Sequence, residues 1–265
     1  MEQITSLQNA KIKALKKLDK PAERKEQGLF LVEGLREVVL AKRGAYDIQQ
    51  LFICLELLKP QPDYSLQELN GIEKIEVTES VYRSVAYRES TEGILATVKL
   101  KSHTLADLTL QPNSLILVIE AVEKPGNLGA MLRTADAVGV DAVIICDNKT
   151  DLYNANVIRS SVGTVFTNTI AVSTTEETIS FLKINNIAIL AATPEAETVY
   201  TKQNMTTAVA IVVGAEAEGL SSTWKNAATE NVCIPMLGQI DSLNVSVSAA
   251  LLLYEAVRQR RETNK

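Results

Sequence analysis

The chain has 265 residues, 46% of them hydrophobic and 22% charged, with a formal net charge of −5. That balance describes a globular protein long enough for two domains and excludes one that is basic throughout. No stretch approaches the roughly 18–20 apolar residues of a membrane span, and residues 1–7 lack a signal-peptide pattern, so a cytoplasmic protein with no membrane partner is expected. In chain order, residues 5–20 read as a helix with Leu7, Ile12, Leu15 and Leu18 on its apolar side. Residues 30–32 read as a strand, residues from Gly34 to Lys42 as a helix stopped by Gly44, and residues 50–55 as a strand. After a Pro-containing turn at 59–63 come a strand at 75–77, a short helix at 79–85 and a strand at 94–98. Residues 99–113 read as a linker that includes the single histidine, His103.

A second unit opens at residues 115–120, an uninterrupted apolar strand of the kind buried in parallel sheets. A helix runs from about Pro125 to Val138, where Gly139 supplies a C-terminal stop. Strands at 142–146, 169–172, 187–191 and 209–213 alternate with helices at 153–162, 175–185 and 222–228. A strand ending at Pro235, a polar loop at 237–243 and a long helix capped by Asn244 complete the chain. Strand–helix alternation implies an α/β domain with a parallel sheet. The expected division is residues 1–104 and 105–265. Cys54, Cys146 and Cys233 sit in apolar, strand-like runs without metal-ligand spacing and are expected to be reduced core cysteines, with no metal site.

Ligands of open parallel sheets bind beyond the carboxyl ends of the strands, which directs attention to the loops 121–130, 214–221 and 235–243. The first carries Gly126-Asn-Leu-Gly129, which lacks the full G-x-G-x-x-G dinucleotide spacing. Taken alone, Asn127 reads as a helix cap and Arg133 as a surface charge. The second carries Gly214 where the backbone must approach something closely, with Glu216 and Glu218 beside it. The third leads into Ser242-Leu-Asn-Val-Ser246, more hydroxyls and amides than packing needs at a helix start. At the other end of the chain, residues 1–25 hold seven basic and three acidic side chains, a local excess of +4. On charge alone this is a solvated helix face or a phosphate-binding patch.

Together, Asn127-Leu-Gly-Ala-Met-Leu-Arg133, Gly214-Ala-Glu216-Ala-Glu-Gly219-Leu220, and Ile234-Pro235-Met236 with Ser242-Leu243-Asn244 resemble the motifs of the SpoU/TrmH RNA ribose methyltransferases, over residues 114–262. The N-terminal unit resembles, more loosely, the small ribosomal-protein-like substrate-binding domain of that family, chiefly through Phe30-Leu31-Val32-Glu33-Gly34. The resemblance implies a deep trefoil knot in the C-terminal α/β domain, an exception to the rule of unknotted connections, and a homodimer formed through that domain. It implies S-adenosylmethionine as cofactor, with contacts at Thr193, Gly214, Ile234, Met236 and Leu243, and methyl transfer to a ribose 2′-hydroxyl of RNA, rRNA ahead of tRNA. Asn127, Arg133, Glu216, Ser242 and Asn244 take the catalytic positions. Lys13, Lys16, Lys17, Arg36 and Lys124 are the residues expected to meet RNA. Lys124 stands where many members carry an acidic residue. Two other readings compete: a non-catalytic RNA-binding protein that keeps the fold, and a nucleotide-dependent enzyme on an ordinary doubly wound sheet, which the broken glycine fingerprint disfavours.

Overall fold

The computed structural model describes residues 2–89, 92–215 and 218–263, which divide into two units. The first comprises Met1–Ser102 and Asp151–Thr167, the second His103–Thr150 and Asn168–Lys265. The division is therefore not a single cut near residue 104: a segment of the C-terminal half packs within the N-terminal unit.

The first unit contains β1 (Glu2–Ile4), α1 (Ala10–Lys17), α2 (Pro21–Gln27), β2 (Leu29–Glu33), α3 (Leu35–Arg43), β3 (Ile48–Ile53), β4 (Glu73–Val77), α4 (Glu79–Arg83) and β5 (Ile94–Lys99). The sheet order is β1-β4-β3-β5-β2; β5 runs antiparallel to both neighbours, and the other pairs are parallel. The helix expected over 5–20 is shorter. Asn9 caps it, its side chain accepting the Lys11 N–H at 2.8 Å, and Leu7 lies outside, 43% exposed. Ile12 and Leu15 are buried, so the predicted apolar face is the one used. Pro21 then starts α2 at a position where its missing N–H costs nothing. Phe30 of β2 is fully buried and stacks on Tyr153, with ring centroids 4.1 Å apart, while Tyr46 meets Phe166 edge-on at 5.1 Å. Tyr153 and Phe166 both come from the Asp151–Thr167 segment, and aromatic burial of this kind is what ties the segment to this unit. Its helix is α6 (Ala155–Ser160).

The second unit contains β6 (Leu115–Glu120), α5 (Pro125–Val138), β7 (Ala142–Cys146), β8 (Ile170–Ser173), α7 (Thr175–Ile184), β9 (Ala188–Ala192), β10 (Thr198–Val199), β11 (Val209–Val213), α8 (Ser222–Ala227), β12 (Glu230–Cys233) and α9 (Val245–Thr263). Its seven strands, in order β10-β12-β9-β11-β6-β7-β8, are all parallel, as the apolar strands require. The expected linker is no free tether. Leu105, Leu108 and Leu110 pack against the second unit's core, and His103 bonds through Nδ1 to the Ile170 carbonyl at 3.2 Å. Cys54 and Cys146 are buried, and burial pushes the Cys146 thiol up to about 12; Cys233 is only half-buried. Among the described residues no cluster could hold a metal ion, and no helix is long and apolar enough to cross a membrane.

Candidate active site

β12, β9 and β11 lie side by side and parallel, so their carboxyl ends face one edge of the sheet. The chain leaving each of them contributes to one cleft of ≈ 800 Å³. All five residues expected to hold the cofactor line it: Thr193 beyond β9, Gly214 beyond β11, and Ile234, Met236 and Leu243 beyond β12. Apolar surface from the last three faces a polar rim of Glu195, Glu218, Asp241 and Lys124. The hydrogen bond from Thr193 Oγ1 holds the Glu195 carboxyl below its ordinary range, and Lys225, 3.5 Å away, acts in the same direction.

Gly214 is required by the backbone itself. A Cβ there would stand 2.5 Å from the Gly219 carbonyl carbon and the Leu220 nitrogen. Ala215 and Gly219 bridge across this turn, with Gly219 N–H donating to the Ala215 carbonyl at 3.0 Å. The end of the loop is fixed by a residue that sequence reasoning did not single out. Glu120, buried at the end of β6, accepts the Ser221 N–H at 2.8 Å. Its other oxygen lies 3.4 Å from Thr175 Oγ1, which also accepts the Trp224 indole N–H at 3.0 Å. The available signal was an acidic side chain ending a wholly apolar strand, since a carboxylate is buried only where donors await it.

Asn244 caps α9 as expected. Its Oδ1 accepts the Ser246 N–H at 2.9 Å and hydroxyl at 2.6 Å, and its carbonyl accepts from Val247 and Ser248. Such a cap contributes about 1 kcal/mol. The remaining amide group donates to Asn127 Oδ1 at 3.2 Å, joining the starts of α9 and α5. The N-termini of α9 and α5, the positive ends of their dipoles, thus meet beside the cleft. Ser242 is exposed and bonds to Asp241 at 3.1 Å. Arg133 lies on the outer face of α5, exposed, with no ion pair among the described residues, and it is not part of the cleft lining. Glu216 lies outside the described residues.

In the first unit, Lys13, Lys16 and Lys17 all point away from the buried face of α1 and have no partner among the described residues. Lys11 is taken by Glu2 at 2.6 Å. Arg24 is buried against Asp151, with Nε–Oδ2 at 2.9 Å, and so leaves the basic patch. Arg36 is held by Glu37 at 2.9 Å, and Lys124 is exposed at the cleft rim.

The SpoU rRNA Methylase family model matches residues 114–254, and a model described as an MRM3-like substrate binding domain matches residues 9–96. The chain is 30% identical over 96% of its length to the 23S rRNA (guanosine(2553)-2′-O)-methyltransferase RlmP of Bacillus subtilis, covering 98% of that protein. A solved RNA 2′-O ribose methyltransferase shares 42% identity and superposes with a TM-score of 0.86, over 98% of this chain and 99% of that one. An AdoMet-bound rRNA methyltransferase from Sinorhizobium meliloti, 27% identical, superposes with a TM-score of 0.88 over 97% of each chain. With its three strand-end loops gathered on one cleft and both halves of its length matched, the chain belongs to the SpoU rRNA methylase family.

Proposed function

We propose that this protein transfers a methyl group from S-adenosylmethionine to a ribose 2′-hydroxyl of rRNA. The observation that carries the reading is the convergence of Thr193, Gly214, Ile234, Met236 and Leu243 on one cleft. The cleft fits the cofactor. Its apolar wall suits an adenine and a thioether chain, and its three carboxylates suit a ligand that carries sulfonium and ammonium charges. When bound, S-adenosylmethionine supplies a methyl group activated by its sulfonium. Asn127 and Asn244, already bonded to each other, orient the ribose at the cleft mouth, and Ser242 steadies the same loop. Arg133 binds the phosphate next to the reacting ribose, and that phosphate oxygen takes the hydroxyl proton. Arg133 serves there as a forked hydrogen-bond donor to the phosphate and not as the base. rRNA is favoured over tRNA because the named relatives act on 23S rRNA.

The finer architecture belongs to the same reading. A trefoil knot is supported by membership of the family and by α9 returning from β12 to pack on α5 and β11. A homodimer is supported by Val247, Leu251 and Tyr254, which fall one helical turn apart on α9 and are all exposed. Tyr254→Asp is therefore expected to sediment as a monomer and to lose methyl transfer; a dimeric, active variant would remove this face from the interface. The first unit, with its matched 9–96 region, serves as the RNA-binding domain, and Lys13, Lys16 and Lys17 contact phosphates. Replacing the three with alanine should lower the slope of log affinity against log salt by about 2. An unchanged slope would return these lysines to plain solvation.

The deciding experiment is incorporation of labelled methyl from S-adenosylmethionine into unmodified rRNA and tRNA, followed by alkaline hydrolysis. A 2′-O-methyl blocks cleavage at its own linkage, so label is expected in alkali-resistant dinucleotides from rRNA. Label in mononucleotides would mean base methylation, and label in tRNA alone would name the other substrate. No label in either, with RNA still bound, would favour the non-catalytic reading.

A further inference from the structure

The first unit holds a separate cavity of ≈ 430 Å³. Leu18, Leu31 and Leu95 give it apolar surface. Glu33, the last residue of β2, also lines it and is nine-tenths buried. Glu33 Oε2 accepts the backbone N–H groups of Tyr87 and Arg88, at 2.9 and 3.1 Å. Glu33 Oε1 is buried and has no hydrogen-bond partner among the described residues. A buried carboxylate oxygen left in that state loses its hydration without return, and native structures rarely keep one without a use. Burial holds this carboxyl above its ordinary range.

The charges around the cavity are unequal in kind. Arg24 is committed to Asp151, and Arg88 to Glu37 and Glu92. Lys16 from α1 and Arg159 from α6 also line it, but both are exposed and have no partner among the described residues. Tyr87 is half-exposed beside them. Cations free to meet solvent, an accessible aromatic ring and a buried acceptor in one cavity match the phosphate, the base face and the base edge of a nucleotide. Phosphate belongs outside with Lys16 and Arg159, because Glu33 repels an anion within. The base belongs inside, against the leucines, with Tyr87 available for stacking.

We propose that this cavity is a subsite for an unpaired guanosine of the RNA substrate, with Glu33 Oε1 accepting from the base edge. The assignment rests on the reading that the protein acts on RNA. Guanine presents a ring N–H beside an exocyclic amine, two adjacent donors for a carboxylate. Adenine and cytosine have no ring N–H at that edge. The subsite shares no lining residue with the methyl-transfer cleft.

The test is saturation-transfer NMR on the full chain with GMP, AMP and CMP as probes. GMP is expected to bind better than either of the others, and Glu33→Gln to weaken it by about tenfold, the worth of one hydrogen bond to a charged group. Glu33 also holds residues 87–88, so that variant can lose structure. Tyr87→Ala and Arg159→Ala, both at exposed positions, provide the second arm and should each weaken GMP several-fold and raise the KM for rRNA without changing kcat. Equal binding of the three nucleotides, absent GMP binding, or GMP binding that ignores all three substitutions would overturn the subsite. Methyl transfer to rRNA is followed on the same preparations. Transfer that persists in the wild type without GMP selectivity removes the subsite alone, whereas a wild type that neither binds nor methylates rRNA removes the functional reading beneath it.

Discussion

Arg133→Ala is expected to reduce the methyl-transfer rate by about 10²–10³-fold while leaving S-adenosylmethionine affinity nearly unchanged. The size follows from removing one preorganised charged donor from a transition state that depends on it. The split between rate and cofactor affinity follows from geometry, because Arg133 sits on the outer face of α5 and is absent from the cleft lining. Fold stability should also hold, since the side chain is exposed and makes no ion pair among the described residues. Single-turnover kinetics, calorimetry of cofactor binding and a thermal melt check the three in turn. Loss of cofactor affinity would place Arg133 in the cofactor site instead. Arg133→Lys should recover little, because an ammonium lacks the planar fork that grips a phosphate through two N–H groups.

Gly214→Ala should damage both stability and cofactor binding. The added methyl would stand 2.5 Å from backbone atoms of Gly219 and Leu220, and backbone cannot rotate aside as a flexible side chain can. Overpacking against fixed atoms costs about 1–3 kcal/mol. Here the atoms displaced belong to the loop that lines the cleft. Thermal melts should show the destabilisation, and a melt with saturating cofactor should recover little of it. A variant that melts like the wild type and binds cofactor normally would mean that the 214–220 turn is loose in solution.

The parts of the fold legible in the sequence are those that encode their own environment. β6 is apolar up to Glu120 and β7 throughout, and both lie inside a parallel sheet with a strand on either side. Of the apolar positions that fall at helical spacing in α9, Val245, Ala249, Leu252, Leu253 and Ala256 are buried and Val257 is half-buried, while Glu255, outside that pattern, is buried as well. β1 was not legible, because three residues with one core side chain, Ile4, are held only by pairing with β4 some seventy positions later. α2 was hidden by Pro21, which punctuates a sequence equally well as a break or a helix start, and only Arg24 of that helix is buried. Residues 153–162 read as a helix, and nothing local says what that helix packs against; Tyr153 is buried in the first unit's aromatic cluster. At the site, the residues expected to hold the cofactor came from the family resemblance of the strand-end loops, and all five line one cleft. Glu120 was not legible, because its partners come from Thr175 and Ser221, far along the chain.

The return of Asp151–Thr167 to the first unit also sets a schedule for synthesis. When Ser102 has left the ribosome, Phe30 and Tyr46 have no aromatic partners from that segment, because Tyr153 and Phe166 have yet to be made. About 65 more residues must follow, which at common elongation rates takes roughly 3–13 s. During that interval β6 and then β7 emerge, without their sheet neighbours β11 and β8. The nascent chain thus holds two incomplete cores at once, and the first of them closes only after the second has begun.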